Sequence, residues 1–299
     1  MGSIKMGPYT IETSNEDKIF FPKSKITKGD LVEYYKKISK IMVNYTKKRP
    51  LTMVRYPNGI HAEGFYQKDT PDYFPDWIDR KKVAKKEEGS TNYVIANNRA
   101  TLVYLANQGV ITPHLWLSKV DKLEYPDMMI FDLDPPPPGK KFASVRKTAL
   151  KLKQLLESID LKPFVKTTGS KGLHVVVPLK PTEKFDKVRN LARKIAELLV
   201  HDNPKELTLE VRKNKRGEKV FIDTLRNAFA QTAVAPYGVR PKEKAPVATP
   251  ISWDEVEDSS LTSQRYTIES VFNRLDKHGD PWKGMTRHAR SIKGKIKQL

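Results

Sequence analysis

Cysteine is absent from the 299-residue sequence, and this absence excludes several kinds of site. No disulfide bond can form, and no zinc ion can be held by thiolates. The sequence also lacks any stretch that approaches the roughly 20 apolar residues of a membrane-spanning helix. Residues 1–9 contain no apolar segment of the kind that marks a secretory signal. We therefore expect a cytoplasmic protein that does not associate with membranes.

Acidic residues are few relative to basic ones. The sequence has 35 Asp and Glu against 55 Lys and Arg, which gives a formal net charge of +20. Such an excess favours polyanionic partners, because each phosphate that Lys or Arg neutralises releases condensed counterions. A ribosomal or other soluble basic protein would show the same balance, so the charge supports a nucleic-acid partner without establishing one. The 38% of hydrophobic residues is typical of a globular protein.

The sequence contains no internal repeat and no long Gly/Ser linker, and its Gly-rich turn lacks the spacing of a P-loop. Hydrophobic periodicity predicts helices at 27–41, 99–108, 142–159, 186–200 and 262–277. It predicts strands at 51–56, 127–133, 163–167 and 173–179, and a hairpin of 208–212 with 219–224. The charged segment 80–90 is expected to be a loop or solvated face, and the proline run 135–138 to end the strand before it.

These elements do not alternate as strict βαβ units. The order favours an α+β fold with mixed or antiparallel sheets flanked by helices. We expect residues 1–299 to form a single domain, with a core at 10–280 and a basic tail at 281–299. The tail could contact DNA or simply form a solvated terminal helix.

Two acids stand at the end of a predicted strand, in the segment Phe131-Asp132-Leu133-Asp134. Strand side chains alternate between faces, so Asp132 and Asp134 project to the same side. Carboxylate oxygens are the ligands that Mg²⁺ and Mn²⁺ prefer. Two acids in this pattern more often cap a turn or pair with surface lysines, so the segment alone does not define a metal site.

The segment Thr167-Thr168-Gly169-Ser170-Lys171-Gly172-Leu173-His174 has the composition of a turn that binds an anion. Its glycines let backbone N–H groups approach a phosphate closely, and Lys171 adds a positive charge. Thr168, Ser170 and His174 add further hydrogen-bond donors. An ordinary hairpin turn with a structural histidine would explain the same residues about equally well.

A third acid, Asp223, ends another apolar strand and completes a possible site for two metal ions. Arg226 follows three residues later, and Arg240 lies in a segment bounded by prolines; both are candidates to grip phosphate oxygens. Surface solvation would explain either arginine by itself. Acids, a phosphate-binding turn and arginines together predict in-line phosphoryl transfer to a nucleic-acid 3′-hydroxyl, assisted by two divalent cations.

At these residues the chain resembles the polymerase domain of bacterial ligase D and its stand-alone counterparts in the archaeo-eukaryotic primase superfamily. The resemblance covers about residues 10–280 and rests on four segments in the same order. These segments are F-D-L-D-P, T-x-G-S-K-G-L-H, F-x-D-x-L-R-N and A-P-V-A-T-P-I-S-W-D-E. It implies a primase-polymerase fold and a DNA repair polymerase of non-homologous end joining that uses ribonucleotides in preference to deoxynucleotides, with Mn²⁺ or Mg²⁺.

The resemblance also implies roles for individual residues. Asp132, Asp134 and Asp223 match the metal-binding acids, and His114 matches a histidine at the catalytic centre that sequence alone would place in the core. The residues that match those holding the nucleoside triphosphate are Thr168, His174, Arg226 and Arg240, to which we add Ser170 and Lys171. Thr168 stands where a serine is usual in the family, and this exchange keeps the hydroxyl.

Further matches concern the nucleic acid. Asn15, Lys18 and Lys28 match a pocket for a DNA 5′-phosphate, and Phe65 and Tyr66 match an aromatic pair that stacks on bases near the template. Tyr66 stands where a phenylalanine is usual in the family. We group Arg55 with this pair. The implied partners are gapped or broken DNA, nucleoside triphosphates, a Ku-like end-binding protein and a separate ligase, in association with the nucleoid.

Two other functions remain open at the level of sequence. A primase that starts chains de novo would share the three acids, although the absence of a cysteine zinc motif weakens this hypothesis. A non-catalytic nucleic-acid-binding protein would rely on the basic surface alone and would not need the acids.

Overall fold

The computed structural model describes residues 2–85, 88–136 and 142–299. Its strands, in chain order, are β1 (Gly2–Met6), β2 (Tyr9–Thr13), β3 (Ile19–Phe21), β4 (Ile26–Thr27), β5 (Pro50–Arg55), β6 (Phe65–Gln67), β7 (Arg80–Ala84), β8 (Ser90–Ile95), β9 (Val110–Trp116), β10 (Met128–Asp134), β11 (Phe164–Thr167), β12 (Leu173–Pro178), β13 (Leu207–Thr208), β14 (Val220–Asp223), β15 (Thr232–Val234) and β16 (Pro250–Ile251). Its α-helices are α1 (Lys28–Thr46), α2 (Arg99–Asn107), α3 (Ala143–Ser158), α4 (Phe185–Asp202), α5 (Trp253–Glu257) and α6 (Val271–His278).

The chain forms two compact units, each assembled from separate stretches of sequence. The first unit comprises Met1–Trp116, Thr232–Ala248 and Tyr266–Asn273. The second comprises Leu117–Gln231, Thr249–Arg265 and Arg274–Leu299. A division by internal contacts does not decide how many domains fold independently, so the expectation of a single domain for residues 1–299 stays a prediction.

The first unit is built on an antiparallel sheet in the order β15-β9-β5-β8-β7, with β6 paired to β5. Every residue of the central strand β5 is buried. Helix α1 begins where the sequence predicts, because the hydroxyl of Thr27 accepts from the amide of Asp30 and the Asp30 carboxylate accepts from the Thr27 amide. Its apolar stripe, which includes Tyr35 and Ile38, is buried.

The second unit is built on a mixed sheet in the order β13-β14-β10-β12-β11-β16. All neighbours are antiparallel except β13 and β14, which run parallel. One face carries Phe131, Val175 and Val165 in register on β10, β12 and β11, and all three are buried. Helices α3 and α4 each pack on this sheet and on one another. Mixed and antiparallel sheets flanked by helices confirm the predicted α+β fold.

Two predictions of local structure were wrong, and the third, for segment 80–90, was correct about a solvated face although the segment is not simply a loop. The segments 208–212 and 219–224 do not form a hairpin, because the connection through the 3-10 helix Lys213–Lys215 returns the chain to the starting end of β13, so that β14 runs parallel to it. The helix predicted at 262–277 is only Val271–His278, since backbone groups before it bond to another segment, as in Val247 N–H to Tyr266 O. Segment 80–90 contains the edge strand β7, whose outer charges discourage pairing with other chains.

The proline run 135–138 is only partly described, since residues 137 and 138 lie outside the described ranges; β10 ends just before the run, at Asp134. The basic tail is not a solvated helix. It contains short 3-10 helices at Met285–His288 and Lys295–Gln298, and Trp282 and Ile292 are buried. The indole of Trp282 donates to Val165 O at 3.0 Å, which fastens the tail to β11. Across the described residues, no helix has the length and apolar character needed to cross a bilayer.

Candidate functional site

The acids predicted from separate parts of the sequence lie together in the second unit. Asp132 on β10 lies directly opposite Asp223 on β14, and Asp134 is two residues further along β10. Directly opposed residues of antiparallel strands project to the same face, and so do residues two apart on one strand. The sheet therefore gathers three carboxylates on one face, as the sequence predicts.

Each carboxylate is engaged by a neighbouring group. Asp132 Oδ2 lies 3.4 Å from His174 Nε2 and 3.7 Å from Arg226 Nε. Asp134 Oδ2 lies 3.8 Å from Arg216 Nη1, and Asp223 Oδ1 accepts from the amide of residue 225 at 2.7 Å. In this arrangement no group of three acidic or histidine side chains in the described chain is positioned to hold a metal ion. The carboxylates would have to turn away from these partners to share a cation.

The electrostatics of the three acids nevertheless suit a cation. Burial, together with the charges of Asp132 and Asp223, raises the pKa of Asp134 to about 6. Burial likewise raises the pKa of Asp223, with a contribution from Asp132. Burial alone would raise the pKa of Asp132, but His174 and Arg226 hold it below its ordinary value. A hard divalent cation would relieve this repulsion, and carboxylate oxygens are its preferred donors.

The predicted anion-binding turn joins β11 to β12, beside the acids. Its residue Thr168 organises it: the Thr168 hydroxyl donates to Gly172 O at 3.1 Å. The same oxygen accepts from the amides of Ser170, Lys171 and Gly172 at 3.1–3.2 Å. The sequence predicts that backbone N–H groups of this turn face an anion; in the structure these three amides face the Thr168 oxygen instead, because the hydroxyl lies inside the turn.

Glycine is required at position 172 because the turn packs against β10. A Cβ atom there would lie 1.9 Å from Leu133 O, a distance no side chain can occupy. Gly169 adopts a positive φ of 63°, which glycine tolerates better than other residues. Ser170 contributes its carbonyl, which accepts from Ser263 Oγ at 3.0 Å and Gln264 Nε2 at 2.7 Å, whereas Lys171 is exposed.

His174 is the second residue of β12 and lies directly opposite Asp132. The ring is 3% exposed, and its Nδ1 atom is buried without a hydrogen-bond partner among the described residues. Burial lowers the pKa of His174 to about 4, against the opposing effect of Asp132. A neutral imidazole with one unsatisfied nitrogen is a ready partner for a further polar group.

The segment after β14 is fixed to the sheet by an asparagine. Asn227 is fully buried; its side-chain Oδ1 accepts from Ile130 N at 2.8 Å and its Nδ2 donates to Ile130 O at 2.7 Å. The amide thus continues the edge of β10 beyond the residues that pair with β14. This contact places the preceding residue, Arg226, beside Asp132. The asparagine of the F-x-D-x-L-R-N segment therefore serves to attach the arginine-bearing segment to β10.

Lys166, a buried charged residue of this face, was not among the site residues predicted from the sequence. Lys166 is 1% exposed and lies opposite His174 in the β11–β12 pairing. The available signal was a lysine placed in an otherwise apolar strand, Phe164-Val165-Lys166, one residue before the turn. Arg216 was also missed; its guanidinium lies over the ring of Phe221, 3.6 Å from the centroid, within reach of Asp134.

The first unit contains a pocket of about 280 Å³ at the predicted 5′-phosphate site. Asn15, Lys18, Lys28 and Arg55 line it, and none of the described lining residues is acidic. Lys28 Nζ donates to Ser14 O at 2.5 Å, and burial lowers the pKa of Lys28. Lys28 is also the first residue of α1, so the positive end of the helix dipole adds to the potential of the pocket.

The predicted stacking pair, Phe65 and Tyr66, lies on β6, where the two side chains are 45% and 70% exposed. Core packing is therefore excluded for both. Arg55 connects the pair to the pocket: its guanidinium lies 5.6 Å from the Phe65 ring centroid, and its Nη1 donates to Gln67 Oε1 at 2.8 Å and to Tyr73 Oη at 3.0 Å.

The remaining two predicted residues also belong to the first unit. His114 lies on β9, is 8% exposed, and meets Tyr66 edge to face with ring centroids 6.1 Å apart. Arg240 follows Val239, which bridges to Val247, and the Arg240 amide donates to Pro246 O at 2.8 Å. The roles assigned to these two residues in nucleotide binding and catalysis stay predictions.

Comparison with known proteins agrees with this arrangement. Residues 27–282 match the family model described as LigD, primase-polymerase domain. The chain is 34% identical, over 90% of its length, to the multifunctional non-homologous end joining protein LigD of Mycolicibacterium smegmatis. It is 33% identical, over 91% of its length, to the bifunctional non-homologous end joining protein LigD of Bacillus subtilis. The chain spans 35% and 43% of these relatives.

A solved structure is similar over nearly the whole chain. The polymerase domain of Mycobacterium tuberculosis ligase D, solved in complex with DNA, superposes with a TM-score of 0.86 and 30% sequence identity. The match covers 93% of this chain and 99% of that domain. Together with the family match over residues 27–282, this similarity shows that the chain belongs to the LigD primase-polymerase domain family.

Proposed function

We propose that this chain is a nucleotidyltransferase that extends nucleic-acid 3′-hydroxyl ends at gaps and breaks, as a DNA repair polymerase of non-homologous end joining. The observation that carries the proposal is the placement of Asp132, Asp134 and Asp223 on one face of the sheet, beside a turn and basic residues suited to a triphosphate. Membership of a family whose curated relatives are named for end joining supports the same activity.

The three acids are the residues that would hold two divalent cations, Mg²⁺ or Mn²⁺. Such cations lower the pKa of an attacking hydroxyl and neutralise charge on the transferred phosphoryl group. Asp132 is 7% exposed and its charge is poorly screened, whereas Asp134 and Asp223 are partly exposed and so accessible to cations from solvent. Arg226 and Arg216, which face Asp132 and Asp134, would be available to phosphate oxygens if these acids held cations instead.

The basic and hydroxyl-bearing residues around the acids would bind the nucleoside triphosphate. In the second unit, the unsatisfied Nδ1 of His174 and the guanidinium of Arg226 are suited to phosphate oxygens. The exposed ammonium of Lys171 adds positive charge at the turn. Thr168 and Ser170 would shape this turn, while the parts assigned to Arg240 and His114 rest on the resemblance of their motifs.

The first unit offers a place for the DNA end. The pocket lined by Asn15, Lys18 and Lys28 is large enough for a phosphate group and contains no described acid that would repel it. Phe65 and Tyr66 present their rings to solvent, as a platform for unpaired bases requires. Arg55 contacts both features, so it would couple recognition of the 5′-phosphate to stacking at the template.

Finer properties are proposed from the family resemblance. We expect ribonucleotides to be preferred over deoxynucleotides, short gaps to be filled, and Mn²⁺ to support higher activity than Mg²⁺. A Ku-like end-binding protein and a ligase would be the protein partners, and the enzyme would act at the nucleoid.

Primer extension on a gapped duplex tests the proposal, with ribonucleotides and deoxynucleotides compared in Mg²⁺ and in Mn²⁺. Wild-type protein should extend the primer, and Asp132→Ala should not. Extension by Asp132→Ala equal to wild type would overturn the assigned site. Dinucleotide synthesis on an unprimed single strand would instead identify a de novo primase. DNA binding without any nucleotide addition would identify a binding protein.

A further inference from the structure

Four polar residues form a continuous row across the sheet of the second unit. The strand registers place Lys166 opposite His174, His174 opposite Asp132, and Asp132 opposite Asp223. Directly opposed residues on antiparallel strands share a face, so all four side chains project to the face that carries the acids. The row spans β11, β12, β10 and β14, and Lys166 lies at the end farthest from Asp223.

Lys166 is withdrawn from solvent in a way that is rare for lysine. Only 1% of the residue is exposed, and it is among the largest fully buried side chains of the described chain. A buried ammonium is expensive unless negative groups compensate it, and lysine is almost never fully buried without such groups. An apolar side chain of the same size would fill this position without placing a charge on the face that carries the acids.

The charge of Lys166 reaches its neighbours in the row. It contributes to the lowered pKa of Asp132 and to the lowered pKa of His174. Because the residue is buried, its field is not screened by water and extends along the face. The acids carry negative charge on the surface where the nucleoside triphosphate, itself strongly anionic, would have to bind. A fixed positive charge behind His174 offsets that repulsion.

We propose that Lys166 is a fixed buried charge behind His174 that raises the affinity of the site for the phosphate groups of the incoming nucleotide without touching them. This inference rests on the proposed polymerase function and adds to it a residue that no motif assigned. The contribution of the Lys166 charge to binding affinity should grow with the number of phosphates on the ligand and vanish for an uncharged nucleoside.

The test compares Lys166→Met, which keeps length and removes charge, with Lys166→Arg, which keeps charge. Lys162→Met serves as the matched control, because Lys162 is exposed and lies just before β11. Binding of adenosine, AMP, ADP and ATP is measured without primer, so that no turnover is needed. Thermal unfolding and binding of a gapped DNA duplex are measured on the same proteins.

We expect Lys166→Met to weaken ATP binding by about tenfold or more, ADP and AMP binding progressively less, and adenosine binding not at all. Its melting temperature is compared with that of wild type, because a loss of packing would weaken the binding of all four ligands equally, whereas the loss of a charge should follow the number of phosphates. Lys166→Arg should bind ATP more tightly than Lys166→Met, and Lys162→Met should match wild type. DNA binding should be equal in all four proteins.

Three results would overturn the inference. Equal ATP binding by Lys166→Met and wild type would refute it while leaving the polymerase proposal intact. A lower melting temperature in Lys166→Met, with equal losses for all four ligands, would identify a packing role. Failure of wild-type protein to bind ATP at all would remove the polymerase proposal and this inference together.

Discussion

Asp132 and Asp223 face one another directly across β10 and β14 as an in-register cross-strand pair. Like charges in this relationship destabilise a sheet. Asp132 is compensated by His174 at 3.4 Å and Arg226 at 3.7 Å, whereas the repulsion falls on Asp134 and Asp223, whose pKa values are raised. Ionisation therefore stabilises the fold at Asp132 and destabilises it at Asp134 and Asp223. Neutral replacements of Asp132 and Asp134 should change the free energy of unfolding in opposite directions.

Asp134→Asn should stabilise the protein and Asp132→Asn should destabilise it. Because the Asp134 side chain is 38% exposed, water screens its interactions and the gain should be at most about 1 kcal/mol, or roughly 2 °C in melting temperature. Burial and the neighbouring acids raise the pKa of Asp134 to about 6, so its ionised form opposes folding and a neutral amide removes the strain. The pKa of Asp132 is lowered, so its ionised form favours folding and its loss is unfavourable. Both measurements are made by thermal unfolding at neutral pH in EDTA.

Both replacements should reduce nucleotide addition by at least about a hundredfold, because each removes a carboxylate proposed to hold a cation. The exposed residue Asp202 provides the control, since Asp202→Asn should leave melting temperature and primer extension unchanged. Equal destabilisation by the two variants would contradict the asymmetry between the acids.

Thr168→Ser should keep wild-type stability and nucleotide addition, because the hydroxyl that organises the turn remains. Thr168→Val leaves the amides of Ser170, Lys171 and Gly172 without their acceptor. A buried donor left unsatisfied costs about 1–3 kcal/mol, so Thr168→Val should lower the free energy of unfolding by at least that amount. Chemical denaturation measures the change, and a valine variant as stable as the serine variant would refute the role of the hydroxyl.

Asn227→Ala should destabilise the protein by about 2–4 kcal/mol, because it leaves the buried amide and carbonyl of Ile130 unpaired. The rate of primer extension per folded molecule should also fall, since the segment that carries Arg226 loses its attachment to β10. Asn214→Ala is the matched control; Asn214 is exposed and should tolerate the change. Normal activity in a destabilised Asn227→Ala protein would show that the attachment does not position Arg226.

The sequence allowed the elements of the site to be predicted because their signals are local. The alternation of Phe131-Asp132-Leu133-Asp134 places both acids on one face whatever strand lies beside them, and the hydroxyl at Thr27 marks the start of α1. The partner of Asp132 across the sheet is a different matter. The identity of this partner depends on the register of β10 with β14. More than 80 residues separate the two strands in the sequence, so the register is set only when the chain has folded.

The errors have the same origin. Residues 208–212 and 219–224 have the alternation of a hairpin. Nothing in the pattern shows that the chain between them returns to the starting end of β13, so that β14 runs parallel to it. Lysine is usually a solvent-facing residue, and the burial of Lys166 becomes apparent only in the folded structure. The backbone amides of the turn were expected to face an anion because the hydrogen bonds of Thr168 cannot be predicted from residue order.

Replacing Lys18 and Lys28 together with alanine should reduce gap filling on substrates with a 5′-phosphate more than on substrates with a 5′-hydroxyl. The two lysines line the pocket of about 280 Å³, so they are the charges that a phosphate group would meet there. Lys28 is buried and donates to Ser14 O, so thermal unfolding is measured alongside to exclude loss of fold. Lys23→Ala with Lys25→Ala provides the control, since both lysines are exposed and do not line the pocket.

The ratio of the gap-filling rate on a 5′-phosphate substrate to the rate on a 5′-hydroxyl substrate separates 5′-phosphate recognition from general DNA binding. Wild-type protein should fill a gap bearing a 5′-phosphate about tenfold faster than one bearing a hydroxyl, if the phosphate contributes one or two charge-assisted contacts. The double variant should bring that ratio close to one. Equal loss on both substrates, with an unchanged ratio, would place the lysines in general DNA binding rather than in 5′-phosphate recognition.

Phe65→Ala with Tyr66→Ala should impair templated extension without affecting stability, because both rings are exposed and bury little area in the fold. Stacking on a base contributes about 1–3 kcal/mol, so affinity for a substrate with an unpaired template base should fall by roughly tenfold or more, while affinity for a blunt duplex should change little. Tyr66→Phe retains the ring and restores the residue usual in the family, so it should behave as wild type. Since Tyr66 also meets His114 edge to face, a loss of extension rate in Tyr66→Ala alone, at saturating DNA, would indicate that the ring also positions that histidine.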